Sequence, residues 1–126
     1  MNEVDSRKLA FILAPRLNAA GRMGDAARAV TLLTEKDGLL LEKLARDLNS
    51  ENILRQKIQE EIYGKAVEKI ESDSKYSIEK VLVVQGDDWH HGVIGIVASM
   101  ITERYYKPCF VLSVSGDTAK GSARSI

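Results

Sequence analysis

The sequence predicts an α/β chain: an N-terminal helical region with a long connecting helix, followed by a partial α/β layer ordered strand, helix, strand, strand. Three observations carry that expectation. Leu41, Leu44, Leu48, Leu54, Ile58, Ile62, Ala66 and Ile70 form a one-sided apolar stripe at helical steps. Ser72 to Ser77, reading SDSKYS, breaks the periodicity with polar, turn-forming residues. Beyond it, in VLVVQGDDWHHGVIGIVAS (Val81 to Ser99), a β-branched run stops at Gly86, and from Val93 the apolar residues recur at helical spacing.

Taken in order, Ser6 to Leu13 opens a short helix with Asp5 or Ser6 as cap, and Pro15 is expected to end it. Pro15 to Ala29, PRLNAAGRMGDAARA, surrounds Arg16, Arg22 and Arg28 with glycines and alanines. It reads either as a packed turn whose arginines are solvated or paired, or as an anion-facing loop, because guanidinium forks match phosphate oxygens and glycines clear their approach. Asp25 caps a helix from Ala26 to Leu33.

The long helix should run from Asp37 to about Ile70, with a six-residue step from Leu48 to Leu54 where the stripe drifts. Some 30 residues would extend roughly 45 Å, the dimension of a connector; a coiled-coil dimer is the alternative, although no heptad is sustained. Gly64 lowers helix stability by about 1 kcal/mol relative to alanine and marks a candidate close contact. The expected regions are therefore 1–36, 37–72 and 78–126.

In the last region the strands are Lys80 to Gln85, Pro108 to Ser113 and Ala119 to Ile126, with a helix from Gly92 to Tyr105 between the first two. Strand, helix, strand implies a parallel pair, and Gly116-Asp117 a hairpin to the third strand. On that third strand Lys120, Ser122 and Arg124 share one face, about 7 Å apart, and Gly121, Ala123 and Ser125 the other. The first face is a row of donors suited to phosphates or, equally, a solvated edge whose lysine discourages aggregation. The second, made of small side chains, suits packing against a helix or another sheet. The layer is expected to be incomplete. Asp87, Asp88, Trp89, His90 and His91 form a polar knuckle at the expected helix N-terminus, a place for a ligand.

Composition excludes several classes. Lys plus Arg and Asp plus Glu both number 18, so no net field draws the chain to nucleic acid, and anion binding must be local. Cys109, the single cysteine, sits in an apolar run and reads as a buried, inert thiol. No apolar run approaches the roughly 20 residues of a membrane span, and MNEVDSRKLAF lacks a signal-peptide pattern, so the expected location is cytoplasmic.

Three segments carry a resemblance: APRLNAAGRMGDA (Ala14 to Ala26), WHHGVIGIVAS (Trp89 to Ser99) and KGSARSI (Lys120 to Ile126). In this order, with the long helix between the first two, they resemble the RecJ family of bacterial single-stranded-DNA-specific exonucleases in the DHH phosphoesterase superfamily. The resemblance implies a DHH catalytic domain holding two divalent ions, Mn²⁺ or Mg²⁺, then a connecting helix, then a DHH-associated domain whose first part would be residues 78–126. It implies removal of mononucleotides from the 5′ end of single-stranded DNA by metal-activated water.

This chain has no DHH triplet, and the expectation is an internal fragment that is inactive alone, with no catalytic residues and no bound cofactor. Asp87, Asp88, His90 and His91 are four possible metal ligands within five residues, a spacing that rarely converges on one ion. No metal site is assigned.

The resemblance places Ser122 and Arg124 in the family's GSGRS segment, where serine and arginine form a 5′-phosphate pocket. Here the segment reads GSARS, with Ala123 in place of a glycine. Arg16 and Arg22 match PRLNAAGR, in DNA contact or inter-domain pairing. Trp89 and His90 match WHxGVIG, Trp89 stacking on a base or packing on the connecting helix, His90 capping its helix or facing the groove. With Lys120, the candidate nucleic-acid set is Ser122, Arg124, Lys120, Arg16, Arg22 and His90. The implied partners are single-stranded DNA, bound weakly by the fragment, and the missing DHH domain, with a fragment dimer through exposed edges as a further possibility and no membrane. The alternative is a small interaction module whose long helix docks or dimerises.

Overall fold

The computed structural model describes residues 4–126; the first three residues of the stretch read above for a signal peptide lie outside the described residues. The elements are α1 (Ser6–Lys8), a π-helical turn (Leu9–Leu13), α2 (Ala14–Met23), α3 (Ala27–Thr34), α4 (Gly38–Ser72), α5 (Lys75–Ile78), β1 (Leu82–Asp87), α6 (His91–Tyr105), β2 (Cys109–Ser115) and β3 (Thr118–Arg124). The chain divides into two compact units, Met1–Gln56 and Lys57–Ile126, with the division inside α4. Among the described residues no helix is long and apolar enough to cross a membrane.

In the first unit Asp5 caps α1, its Oδ1 accepting the Lys8 amide at 2.7 Å. Pro15 does not end the helix as expected. It lies at the second position of α2, directly after the π turn, within one helical run from Ser6 to Met23. The wider π turn ahead of it, closed by the Ala14 amide on the Leu9 carbonyl, relieves the ring's clash with the preceding turn. PRLNAAGR is therefore helical, and the loop reading of this segment is corrected; the chain turns only at Gly24 to Ala26. Asp25 still caps α3, its Oδ1 accepting the Ala27 amide at 2.8 Å.

Asp37 starts α4, its Oδ1 accepting the Leu39 amide at 2.9 Å. Asp37→Ala should cost about 1 kcal/mol of stability, read as a lowered urea midpoint by helical circular dichroism. The buried stripe runs through Leu44, Leu48, Asn52 and Arg55 in the first unit and through Ile62, Ala66 and Ile70 in the second. Leu54, expected on it, is 49% exposed. A 3.6-residue period leads from Leu48 to Asn52 and Arg55, and these polar side chains keep the register because they bond each other, Arg55 Nη2 to Asn52 Oδ1 at 3.1 Å. Gly64 marks no close contact, since a Cβ there would meet nothing within 4 Å.

In the second unit the expected turn holds a short helix, α5, opened by Asp73 Oδ1 accepting the Lys75 amide at 3.0 Å. The sheet order is β1-β2-β3. β1 and β2 are parallel, with Leu82 beside Cys109, and β2 and β3 antiparallel, with Val111 opposite Ser122. The hairpin turns at Gly116 with φ of 55°, as a two-residue turn with glycine at its first position requires. Leu82, Val84, Cys109, Val111 and Ser113 are buried sheet residues, as are Val93, Val97 and Ile101 of α6, which packs on β2 and β3.

Polar contacts tie α6 to the last turns of α4. Arg104 Nη2 bonds Glu71 at 2.8 Å, Tyr105 Oη bonds the same carboxylate at 3.1 Å, and Gln59 Nε2 reaches Met100 Sδ at 3.3 Å. The opposite sheet face is open among the described residues, with Val83 50% and Phe110 45% exposed.

Cys109 is fully buried, and burial pushes its thiol up to about 11. The neutral thiol is thus favoured by the fold, a contribution complete below the ordinary value of 9.0 and lost as pH rises through about 11. A thiol reagent at pH 8 is expected to leave the folded chain unlabelled and to react once urea unfolds it.

Candidate nucleic-acid interface

The hairpin register decides where the donor row points. Side chains directly opposite in an antiparallel pair leave the sheet on the same side. Arg124 faces Cys109, Ser122 faces Val111 and Lys120 faces Ser113, and all three β2 partners are buried in the core. Lys120, Ser122 and Arg124 therefore lie on the side covered by α6, at the edge of the sheet. Of the two packings expected for the small residues, against a helix or another sheet, the first is corrected: Gly121 and Ala123 lie on the face away from α6, opposite Leu112 and Phe110. A Cβ at Gly121 would clash with Leu112 Cδ2, so its absence makes room for a neighbouring side chain on that face.

Ser122 and Arg124 come together. Arg124 Nη1 donates to Ser122 Oγ at 3.0 Å and to the Ala123 carbonyl at 2.6 Å. The pair sits beside α6 at Gly95, and Thr102 Oγ1 donates to the Arg124 carbonyl at 3.4 Å, tying β3 to the helix. Arg124 and Lys120 are exposed and Ser122 is half-buried, so a hydroxyl and a guanidinium face solvent along one edge. That is donor chemistry suited to a phosphate monoester or diester.

The β1–α6 knuckle is built by backbone geometry. Asp88 adopts φ of 51°, a left-handed conformation that aspartate tolerates, and its amide donates to the Val114 carbonyl at 2.9 Å. The chain then folds Trp89 back over Gly86, leaving the indole 5% exposed, with Lys69 Nζ 6.0 Å from its ring centre. Of the two readings for Trp89, packing is the one observed. His90 caps α6, its Nδ1 accepting the Gly92 amide at 3.1 Å. This hydrogen bond assigns the imidazole proton of the neutral ring to Nε2.

Arg16 and Arg22 lie in the first unit, on α2. Arg16 Nε donates to Asn49 Oδ1 at 2.9 Å and its Nη1 to the Ile12 carbonyl at 2.7 Å, so its guanidinium braces α2 on α4. Arg28 pairs with Glu51. Arg22 is exposed; burial, with the nearby Arg22 charge as a lesser cause, holds the Arg55 guanidinium below its ordinary value. Among the described residues no three His, Cys, Asp or Glu side chains form a group able to hold a metal ion. The oxygen-rich sphere that Mn²⁺ or Mg²⁺ requires is not assembled by Asp87, Asp88, His90 and His91.

Several residues of the site were not legible as such. Gly95 and Ser113 gave no pattern signal, since a glycine between Ile94 and Ile96 and a serine in an apolar strand suit many settings. Ser113 Oγ is buried without a hydrogen-bond partner, next to the donor row. The signal available for Asn52 and Arg55 was their position four and seven residues after Leu48.

No protein-family model matches the chain. The chain is 39% identical over 128 residues to the single-stranded-DNA-specific exonuclease RecJ of Bacillus subtilis, covering 100% of this chain and 16% of that protein. It is 39% identical over 131 residues to the Escherichia coli enzyme of the same name, covering 97% and 22%. A crystal structure of exonuclease RecJ bound to manganese matches with a TM-score of 0.83 at 34% identity, over 97% of this chain and 29% of that one. RecJ of Thermus thermophilus in complex with Mg²⁺ matches with a TM-score of 0.81 at 34% identity, over 94% and 18%. The chain thus spans less than a third of the length of these relatives.

Proposed function

We propose, from the premise that this chain is a RecJ-like segment homologous along its whole length to RecJ exonucleases, that it supplies a non-catalytic wall of a 5′-to-3′ single-stranded-DNA exonuclease. The wall includes the seat for the 5′-terminal phosphate. One observation carries the reading: Ser122 Oγ and the Arg124 guanidinium meet within 3.0 Å of each other on the edge strand, beside α6. A terminal phosphate carries more negative charge than an internal diester and is a stronger acceptor than a serine hydroxyl. It draws the Arg124 N–H groups and the Ser122 O–H to itself. Lys120, about 7 Å along the same face, meets the next phosphate.

In this reading the remaining candidates divide by their bonding. Arg16 positions α2, Arg22 adds an exposed positive charge on α2 that attracts the DNA backbone, and His90 sets the start of α6. Hydrolysis itself, with its Mn²⁺ or Mg²⁺, belongs to a part of the parent enzyme outside this chain. The location is cytoplasmic, where such a substrate is met.

The test is an NMR titration of the chain at low salt with short single strands carrying a 5′-phosphate or a 5′-hydroxyl. Shifts at Ser122 and Arg124 that are larger with the phosphate, and that fade as salt rises, are the expected result. Equal shifts with both ends, or none, would overturn the seat. Release of mononucleotides by the chain alone in Mn²⁺ would overturn the assignment of catalysis to another part.

A further inference from the structure

We infer that Gly95 is a positioning residue for the phosphate seat: its missing side chain is what lets Ser122 and Arg124 lie against α6. The inference rests on the reading of that seat proposed above. Gly95 occupies the fifth position of α6, a helix interior where glycine is less favourable than alanine. The reason for a glycine there must therefore come from outside the helix.

A Cβ built on Gly95 would lie 3.0 Å from Ser122 Oγ, 3.1 Å from Arg124 Nη2 and 3.6 Å from Ser122 Cβ, the three nearest atoms apart from its chain neighbours and the adjoining backbone of its own helix. Carbon packs comfortably at about 3.5–4.0 Å. A methyl group would force both polar groups to give by a few tenths of an ångström, or turn Ser122 to another rotamer. Either movement changes the geometry of the 3.0 Å bond between Arg124 Nη1 and Ser122 Oγ that holds the two donors together. Gly64 in α4 is the natural contrast, because a Cβ there would meet nothing within 4 Å.

The role separates from ordinary packing by the sign of its effects. Gly95→Ala should leave the melting temperature unchanged or raised, since alanine favours the helix, while preference for a 5′-phosphate over a 5′-hydroxyl strand falls about three- to tenfold. Gly64→Ala should also keep or raise the melting temperature and leave that preference as in the wild type. The experiment measures dissociation constants for both strands, with melting curves, on the wild-type chain, Gly95→Ala, Gly64→Ala and Arg124→Ala.

If Arg124→Ala removes the preference and Gly95→Ala keeps it, the positioning role is wrong and the phosphate seat stands. Loss of preference in Gly95→Ala together with a lowered melting temperature means a general packing defect and also overturns the role. A wild-type chain that binds both ends equally, or neither, overturns the seat and this inference with it.

Discussion

Gly86→Ala is expected to destabilise the second unit by about 3 kcal/mol, the upper part of the range for forcing a methyl group into a filled core. The added Cβ would fall inside van der Waals contact of Trp89 Cε2, Cζ2 and Nε1. The ring cannot simply swing away. Asp88 holds its left-handed turn through the 2.9 Å bond of its amide to Val114, and His90 is committed as the cap of α6. Since Trp89 is the only tryptophan, its fluorescence reports the second unit directly. The urea midpoint by that signal should fall well below that of the wild type, and an unchanged midpoint would refute the packing of the ring on Gly86. Trp89→Leu, followed by circular dichroism, should itself be costly because it leaves a void. Adding Gly86→Ala to that background should cost less than it does beside tryptophan, because the two residues share one contact.

Arg124→Ala should weaken binding of 5′-phosphorylated single strands about ten- to a hundredfold, corresponding to the roughly 1.5–3 kcal/mol of hydrogen bonds made by a charged group. Binding of 5′-hydroxyl strands should change far less. The fold should persist, because the Arg124 side chain is exposed while the strand is held by backbone pairing to β2 and by Thr102 on the Arg124 carbonyl. Arg124→Lys keeps the charge and loses the planar fork, so an intermediate affinity is expected. Equal affinity of wild type and Arg124→Ala for the phosphorylated strand would remove Arg124 from the proposed seat.

The elements of this protein were legible because their signals are local. The helical spacing of Leu41 to Ile70 and the glycine turn at Gly116 depend on backbone bonds made within a few residues, and the β-branched run ending at Gly86 is a pattern of adjacent side chains. Asp25 was legible as a cap, and Asp37 as the start of the long helix, for the same reason. Their partners are amides two or three residues away.

Pro15 shows where local reasoning stops. A proline after a helical run predicts an end, and the chain instead widens one turn and starts α2 on it, so the arginines of PRLNAAGR ride a helix whose face is set by packing on α4. Asn52 and Arg55 show the same limit in composition: an apolar count skips them, and burial includes them because each supplies a partner to the other.

The sequence by itself determined the order and kind of most elements, the two faces of β3 and the residues on each. Which face would meet the helix was decided only by the tertiary structure. That outcome depends on the pairing of Val111 with Ser122 across the hairpin and on α6 lying over β2 and β3, contacts between residues far apart in the chain. Period-two alternation is symmetric between its two faces, and only a neighbouring layer breaks that symmetry.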